Sequence, residues 1–215
     1  MVTNFYKVIP KSSRKTYYNP DPLMPQHPFR LCISGATGTG KTNLLLNIIE
    51  RCANFTKIYL YAKKLDEPLY EFLIKHYSKV DENLITCSND IADVISPDDI
   101  DEKHQTLIIF DDMICEANLK SCEELFIRGR KQNASIAFLS QSYFHVPKSV
   151  RLNSDYFIFL RINDKREIIE IKKGQIIPDF ENKIIQYTRK PYDFLMLDLK
   201  TLDPSLRFRH NFGEE

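Results

Sequence analysis

The sequence predicts an α/β domain in which a mostly parallel sheet is flanked by helices. Three observations carry this expectation. Short apolar runs alternate with stretches of helical periodicity along most of the chain. One apolar run, Thr106–Asp112, is nearly continuous, as a strand covered on both faces should be. Three of the six glycines (Gly35, Gly38 and Gly40) fall within six positions, between an apolar run and a helical pattern.

Taken in order, residues 1–28 carry Pro10, Pro20, Pro22, Pro25 and Pro28 amid Lys, Ser, Asn and Tyr, which predicts an extended N-terminal arm rather than core. Residues 29–215 then form one domain. Phe29–Ser34 is its first strand, and Lys41–Cys52 has apolar residues at helical spacing. Lys57–Ala62 is strand-like, and Glu67–Tyr77 is an amphipathic helix with Pro68 in its first turn. Leu84–Cys87 is a short strand candidate, followed by an acidic segment of helix and loop. After Thr106–Asp112 come a helix over Ala117–Arg128 and strands at Ser135–Gln141 and Tyr156–Ile162. Asp164–Gly174 is ambiguous between strand and helix, Pro178–Thr188 is helical, and Tyr192–Leu199 is a last strand.

Composition is that of a globular protein, with 43% hydrophobic and 27% charged residues, enough to build a core without disulfides. The five cysteines are scattered and form no C-x-x-C pair, so reduced thiols are expected and a zinc site is not. The N-terminus lacks an apolar h-region and no window of 18 apolar residues occurs, so neither a signal peptide nor a membrane span, nor a membrane partner, is expected. Net charge is only +1, but it is unevenly spread. Val80–Glu102 holds eight acidic residues and no Lys or Arg; Leu125–Ser154 holds five basic residues and no acid. The basic stretch suits either solvated surface or an anionic partner.

The glycine cluster matches G-x-x-x-x-G-K-[ST] in full, over Gly35, Ala36, Thr37, Gly38, Thr39, Gly40, Lys41 and Thr42, between a strand and a helix. The chemistry demands these types. Glycine admits positive φ and lets backbone approach a ligand without a Cβ clash. Successive N–H groups then surround a phosphate at the positive end of a helix dipole. Lys41 reaches the β- and γ-phosphates, and the Thr42 hydroxyl ligates Mg²⁺. The expected ligands are therefore a nucleoside triphosphate, which the resemblance below makes ATP, and Mg²⁺. The apolar strand ending in Asp111 and Asp112 supplies the acidic partner, Asp111 toward the metal and Asp112 toward an attacking water. Gln141 ends the next strand, where its amide can sense the γ-phosphate or hold water. Arg128 and Arg130 end the preceding helix and serve either its dipole or, as an arginine finger, a neighbour's nucleotide. The fold class is thus an α/β P-loop NTPase, RecA/ASCE-like.

The ordered set "GATGTGKT", "LIIFDD", "RGRKQNASIAFLSQ" and "PKSVRLNSDYFIFLR" resembles the genome-packaging ATPases of large eukaryotic DNA viruses, virophages and Polinton-like elements, the poxvirus-type branch of the FtsK–HerA motors. The resemblance covers roughly Phe29 to Ile162. It implies an ATP-hydrolysing motor that translocates double-stranded DNA. It implies a pentameric or hexameric ring of this chain, partners at a capsid or portal vertex, and a place in the host cytoplasm, viral factory or nucleus. Arg130 falls where the superfamily carries its finger arginine, with Arg128 as the fallback. Asp111-Asp112 replaces the superfamily's usual Asp-Glu, which shortens the catalytic carboxylate, and "RGRK" replaces an Arg-Gly-Arg-His-like run. Two other classes stay open: a nucleoside or nucleotide kinase, and a DNA-translocating ATPase unconnected with packaging; a non-catalytic ATP-dependent scaffold is disfavoured by the intact Lys41 and Asp112. A regulatory GTPase is disfavoured, because no Asn-Lys-x-Asp run exists.

Among the remaining residues, His104 and His145 are not at ligand spacing from any cluster and are expected in loops. Tyr6, Tyr17 and Tyr18 alternate with basic residues of the arm and suit nucleic acid, a strap over a neighbouring subunit, or disorder. Lys148 and Arg151 suit a DNA-facing loop or plain surface.

Overall fold

A computed structural model describes residues 17–113, 119–174 and 179–213. In chain order the elements are β1 (Arg30–Ser34), α1 (Lys41–Cys52), β2 (Lys57–Ala62), α2 (Pro68–Ser78), β3 (Ile85–Ser88), β4 (Thr106–Asp111), α3 (Lys120–Arg128), β5 (Ala134–Ser140), α4 (Lys148–Asn153), β6 (Tyr156–Phe159), α5 (Lys165–Gly174), α6 (Phe180–Tyr187), β7 (Leu195–Asp198) and β8 (Phe208–His210). Among the described residues these strands form one sheet in the order β3-β2-β4-β5-β1-β6-β7-β8. Every pairing from β3 to β6 is parallel, while β6-β7 and β7-β8 are antiparallel.

The central strands are apolar on both faces because both faces are covered. Along β5 the two-residue period sends Ile136 and Phe138 into the cluster under α3, α4, α5 and α6. The alternate residues, Ala137 and Leu139, enter the cluster under α1 and α2. Helix α1 meets the sheet through Leu44, Leu45, Ile48, Ile49 and Cys52, the stripe its 3.6-residue period dictates, and ends where Ala53 turns left-handed. Each such aliphatic side chain contributes about 1.5–3 kcal/mol when fully buried. A parallel sheet layered by helices places the carboxyl ends of β1, β4 and β5 on one rim, and loops carry function there.

Several expectations shift. The last sequence-predicted strand is β7, antiparallel and shorter, and β8 was not foreseen. Asp164–Gly174 resolves as helix α5, which turns Glu167 and Ile171 inward. The acidic segment is loop with two short 3₁₀ turns, Ile91–Asp93 and Pro97–Asp99, capped by the Asp90 and Ser96 side chains. Helix α3 begins at Lys120; residues 114–118, with Cys115, lie outside the described residues, as does Tyr6.

The arm also needs correction over its described part. Residues 17–28 have no helix or strand, yet Met24 is 2% exposed and belongs to the α1-side core. Prolines forbid regular hydrogen bonding but not burial. His27 is buried between β5 and the loop before it: Ser135 donates to its Nδ1 (2.6 Å), and its Nε2 donates to Asn133 Oδ1 (2.9 Å). Asp21 pairs with Arg51 of α1 at 2.5 Å, and Tyr17 packs edge-on against His27. Over these residues the chain packs against β5 and α1.

Candidate functional site

The chain leaves β1 at Ser34, runs through Gly35–Gly40 and enters α1 at Lys41. Gly38 (φ 77°) and Gly40 (φ 98°) hold left-handed conformations that an L side chain resists. At Gly40 a Cβ would also meet the Tyr192 ring at 2.5 Å. No side chain caps the start of α1 and no acid occupies its first turn, so its free amides and dipole face an anion site without competition. The Lys41 Nζ lies folded back onto the loop, donating to the carbonyls of Gly35 (2.9 Å) and Ala36 (3.3 Å). Burial holds its pKa below the usual lysine value, opposed by Asp111, Asp112 and Glu67.

Strand β4 delivers Asp111 at its last position and Asp112 just beyond, where a positive φ of 52° turns the second carboxylate away from the strand direction. Strand β5 delivers Gln141. The three meet with the loop: Thr37 Oγ1 donates to Gln141 Oε1 (3.0 Å), and Gln141 Nε2 donates to Asp112 Oδ2 (2.5 Å). They line a cleft of about 620 Å³ together with Lys41, Thr42 and Asn43.

Asp111 is the buried member. Its Oδ2 accepts the hydroxyl of Tyr70 from α2, and its Oδ1 is buried with no partner among the described residues. Burial raises its pKa to about 6, with Asp112 and Glu67 pushing the same way and the Tyr70 bond and Lys41 pulling down. The Thr42 side chain lies close enough to Tyr70 to offset part of the rise that burial imposes on the Tyr70 pKa. An orphaned carboxylate oxygen beside a threonine hydroxyl is an all-oxygen donor set, which suits a hard divalent cation such as Mg²⁺. The residues present therefore fit the expected metal.

Arg128 and Arg130 are not in this cleft. They precede β5, whose carboxyl end carries Gln141, so the strand's seven residues separate them from the site by about 20 Å. Arg128 is held by Glu124 (2.5 Å) and by Asp98. Arg130 is exposed and in no ion pair among the described residues; its charge helps to depress the pKa of Lys200, whose main cause is burial. Lys148 is exposed, whereas Arg151 faces inward, 3.6 Å from Glu170 and over the Tyr143 ring. His104 and His145 lie in a turn and a 3₁₀ turn, as expected.

Sequence reasoning missed Tyr70, Glu67 and Tyr192. A tyrosine on an amphipathic helix has the same pattern as any core aromatic, and Tyr192 sits in a segment whose place beside Gly40 depends on the antiparallel turn into β7. Only the convergence of elements in space marks them.

Residues 17–187 match the family described as Poxvirus A32 protein. Over 151 residues the chain is 29% identical to DNA packaging protein OPG160 of Vaccinia virus (strain Western Reserve), and equally to that of Variola virus, covering 63% of this chain and 54% of each relative. The chain thus spans about half the length of these curated relatives. Among solved structures it is similar to the genome packaging NTPase B204 from Sulfolobus turreted icosahedral virus 2. The complex with AMP gives a TM-score of 0.62 at 14% identity, over 86% of this chain and 98% of that one. The complex with ATP-gammaS gives 0.60 at 14% identity, over 86% and 97%. That likeness is one of fold, a P-loop NTPase sheet. The family match runs from the arm through α6, and the chain belongs to the Poxvirus A32 protein family.

Proposed function

We propose that this chain is a subunit of an ATP-hydrolysing motor that moves double-stranded DNA into a viral capsid. The observation that carries the reading is the cleft in which Lys41, Thr42, Asp111, Asp112 and Gln141 converge at the carboxyl ends of β1, β4 and β5. The similarity to proteins described as DNA packaging proteins supports DNA as the cargo.

In this reading the triphosphate takes the place of the loop carbonyls as the partner of Lys41 Nζ, and the first amides of α1 hold the phosphates. Thr42 and Asp111 hold Mg²⁺, which when bound neutralises charge on the phosphate oxygens. Asp112 orients the attacking water and accepts its proton. Gln141, tied to both Thr37 and Asp112, couples the phosphate loop to that carboxylate and keeps the water in line. Arg130 is the finger, because Arg128 is already committed to two carboxylates and Arg130 is not. Standing on the opposite rim, Arg130 reaches a nucleotide only in a neighbouring copy, which makes hydrolysis depend on ring assembly. Lys148 faces DNA phosphates, and capsid-vertex proteins at the site of viral assembly are the docking partners.

A mixing experiment tests this. Arg130→Ala and Asp112→Asn proteins, each inactive alone, should regain part of the wild-type ATPase rate when combined, since a mixed ring contains sites with an intact carboxylate facing an intact finger. No recovery at any ratio removes the trans role of Arg130.

A further inference from the structure

Tyr192 is an exposed aromatic held in a conformation that tyrosine disfavours. It is 64% exposed at φ 70°, and its ring lies against Gly40 at the start of α1. The neighbouring residues fix it there. Asp193 accepts from the Asn211 side chain (3.2 Å) and pairs with His210 (3.3 Å), while Asn211 Oδ1 accepts from Phe194 N (3.0 Å). The ring is therefore a platform braced by β8 rather than a loose surface side chain.

Its position relative to the phosphate cleft gives it a use. Asp112 and Gln141 mark the end of the cleft where the terminal phosphate is cleaved. Gly40, Asn43 and Tyr192 line the cleft away from those two residues. The same three also line an adjoining hollow of about 300 Å³, reached past the first turns of α1 and including Asn47, Phe194 and Phe212. A nucleotide whose γ-phosphate sits at Asp112 must send its nucleoside out past Asn43. We propose that the adenine of ATP stacks on the Tyr192 ring in this hollow. Asn43 and Asn47 offer amides to its polar edge, and the buried rings of Phe194 and Phe212 form the floor. The assignment rests on the nucleotide-binding function proposed above and names its base-recognition residue.

Calorimetric titration separates the two. Wild type, Tyr192→Ala and Tyr192→Phe are each titrated with a non-hydrolysable ATP analogue and with inorganic tripolyphosphate, which has no base. Loss of stacking should weaken the analogue about tenfold in Tyr192→Ala, leave tripolyphosphate unchanged, and spare Tyr192→Phe. Equal affinity of Tyr192→Ala and wild type for the analogue overturns the stacking role, as does equal weakening of both ligands. Wild type that binds neither ligand overturns the phosphate site, and the base site with it.

Discussion

Replacing Tyr70 by Phe removes one hydroxyl and keeps the ring that anchors α2 beneath the sheet, where Tyr70 is 1% exposed. That hydroxyl is the partner of Asp111 Oδ2, and Asp111 Oδ1 is buried without one. In metal-free Tyr70→Phe protein, both oxygens of a buried carboxylate are left unpartnered. A hydrogen bond to a charged group contributes about 1.5–3 kcal/mol, so a loss of about 2 kcal/mol is expected at pH 8. For a chain of this size that lowers the melting temperature by about 4–8 °C. The Asp111 carboxyl titrates near pH 6 because burial raises it, so at pH 5 it is mostly protonated and the missing bond is a neutral one. The deficit should then shrink to about 1 kcal/mol. Scanning calorimetry in EDTA at the two pH values reads both effects. A variant as stable as wild type at pH 8, or a deficit that grows on acidification, refutes the Tyr70–Asp111 linkage.

Four further expectations can be measured. Asp111→Asn should stabilise the metal-free protein. A folded pKa of about 6 against an ordinary 3.8 means that stability present below pH 3.8 is lost as pH rises through 6, about 3 kcal/mol by pH 8. The variant should melt several degrees higher at pH 8, with the gap closing by pH 4, and a lower melting temperature at pH 8 contradicts this. His27 behaves in the opposite sense, because burial lowers its pKa. Its contribution is full above its ordinary value near 6.5 and is lost as pH falls through the folded value, so His27→Phe should show less acid destabilisation than wild type between pH 6.5 and 5, and equal slopes would exclude it. Lys41→Ala should lose nucleotide turnover; in wild type, duplex DNA should accelerate turnover at low salt and lose that effect as salt rises. Turnover retained by the variant, or indifference to DNA, would favour another class of NTPase.

The phosphate loop was legible because its chemistry constrains residue type at fixed spacing, and a Gly-to-Gly-Lys-Thr interval has few other uses. The strand ending in Asp111-Asp112 was legible because a strand covered on both faces must be apolar throughout. The sheet's far edge was not. Phe208–His210 is three residues long, and whether a strand runs parallel or antiparallel depends on partners distant in the chain. Residues 17–28 were set apart on the strength of their prolines, which report backbone hydrogen bonding and carry no information about burial. Met24 and His27 show the difference. Tyr70 hides as a core aromatic until α2 is laid beside β4, and Tyr192 until the chain turns back at β7.

That turn back has a bearing on how the protein can change. Strand β6 runs toward the rim that carries Gly35–Gly40 and β7 runs away from it, with Phe159 opposite Leu195, so Tyr192 at the entry to β7 is brought back to that rim after α5 and α6. On the functions proposed above, phosphate chemistry would be carried by one block of the polypeptide, and contact with the rest of the nucleotide by another that contributes nothing to the parallel ladder. Exchanging the later block would then retune which nucleoside is accepted while the proposed hydrolytic residues stay as they are, a separation that a wholly parallel arrangement would not provide.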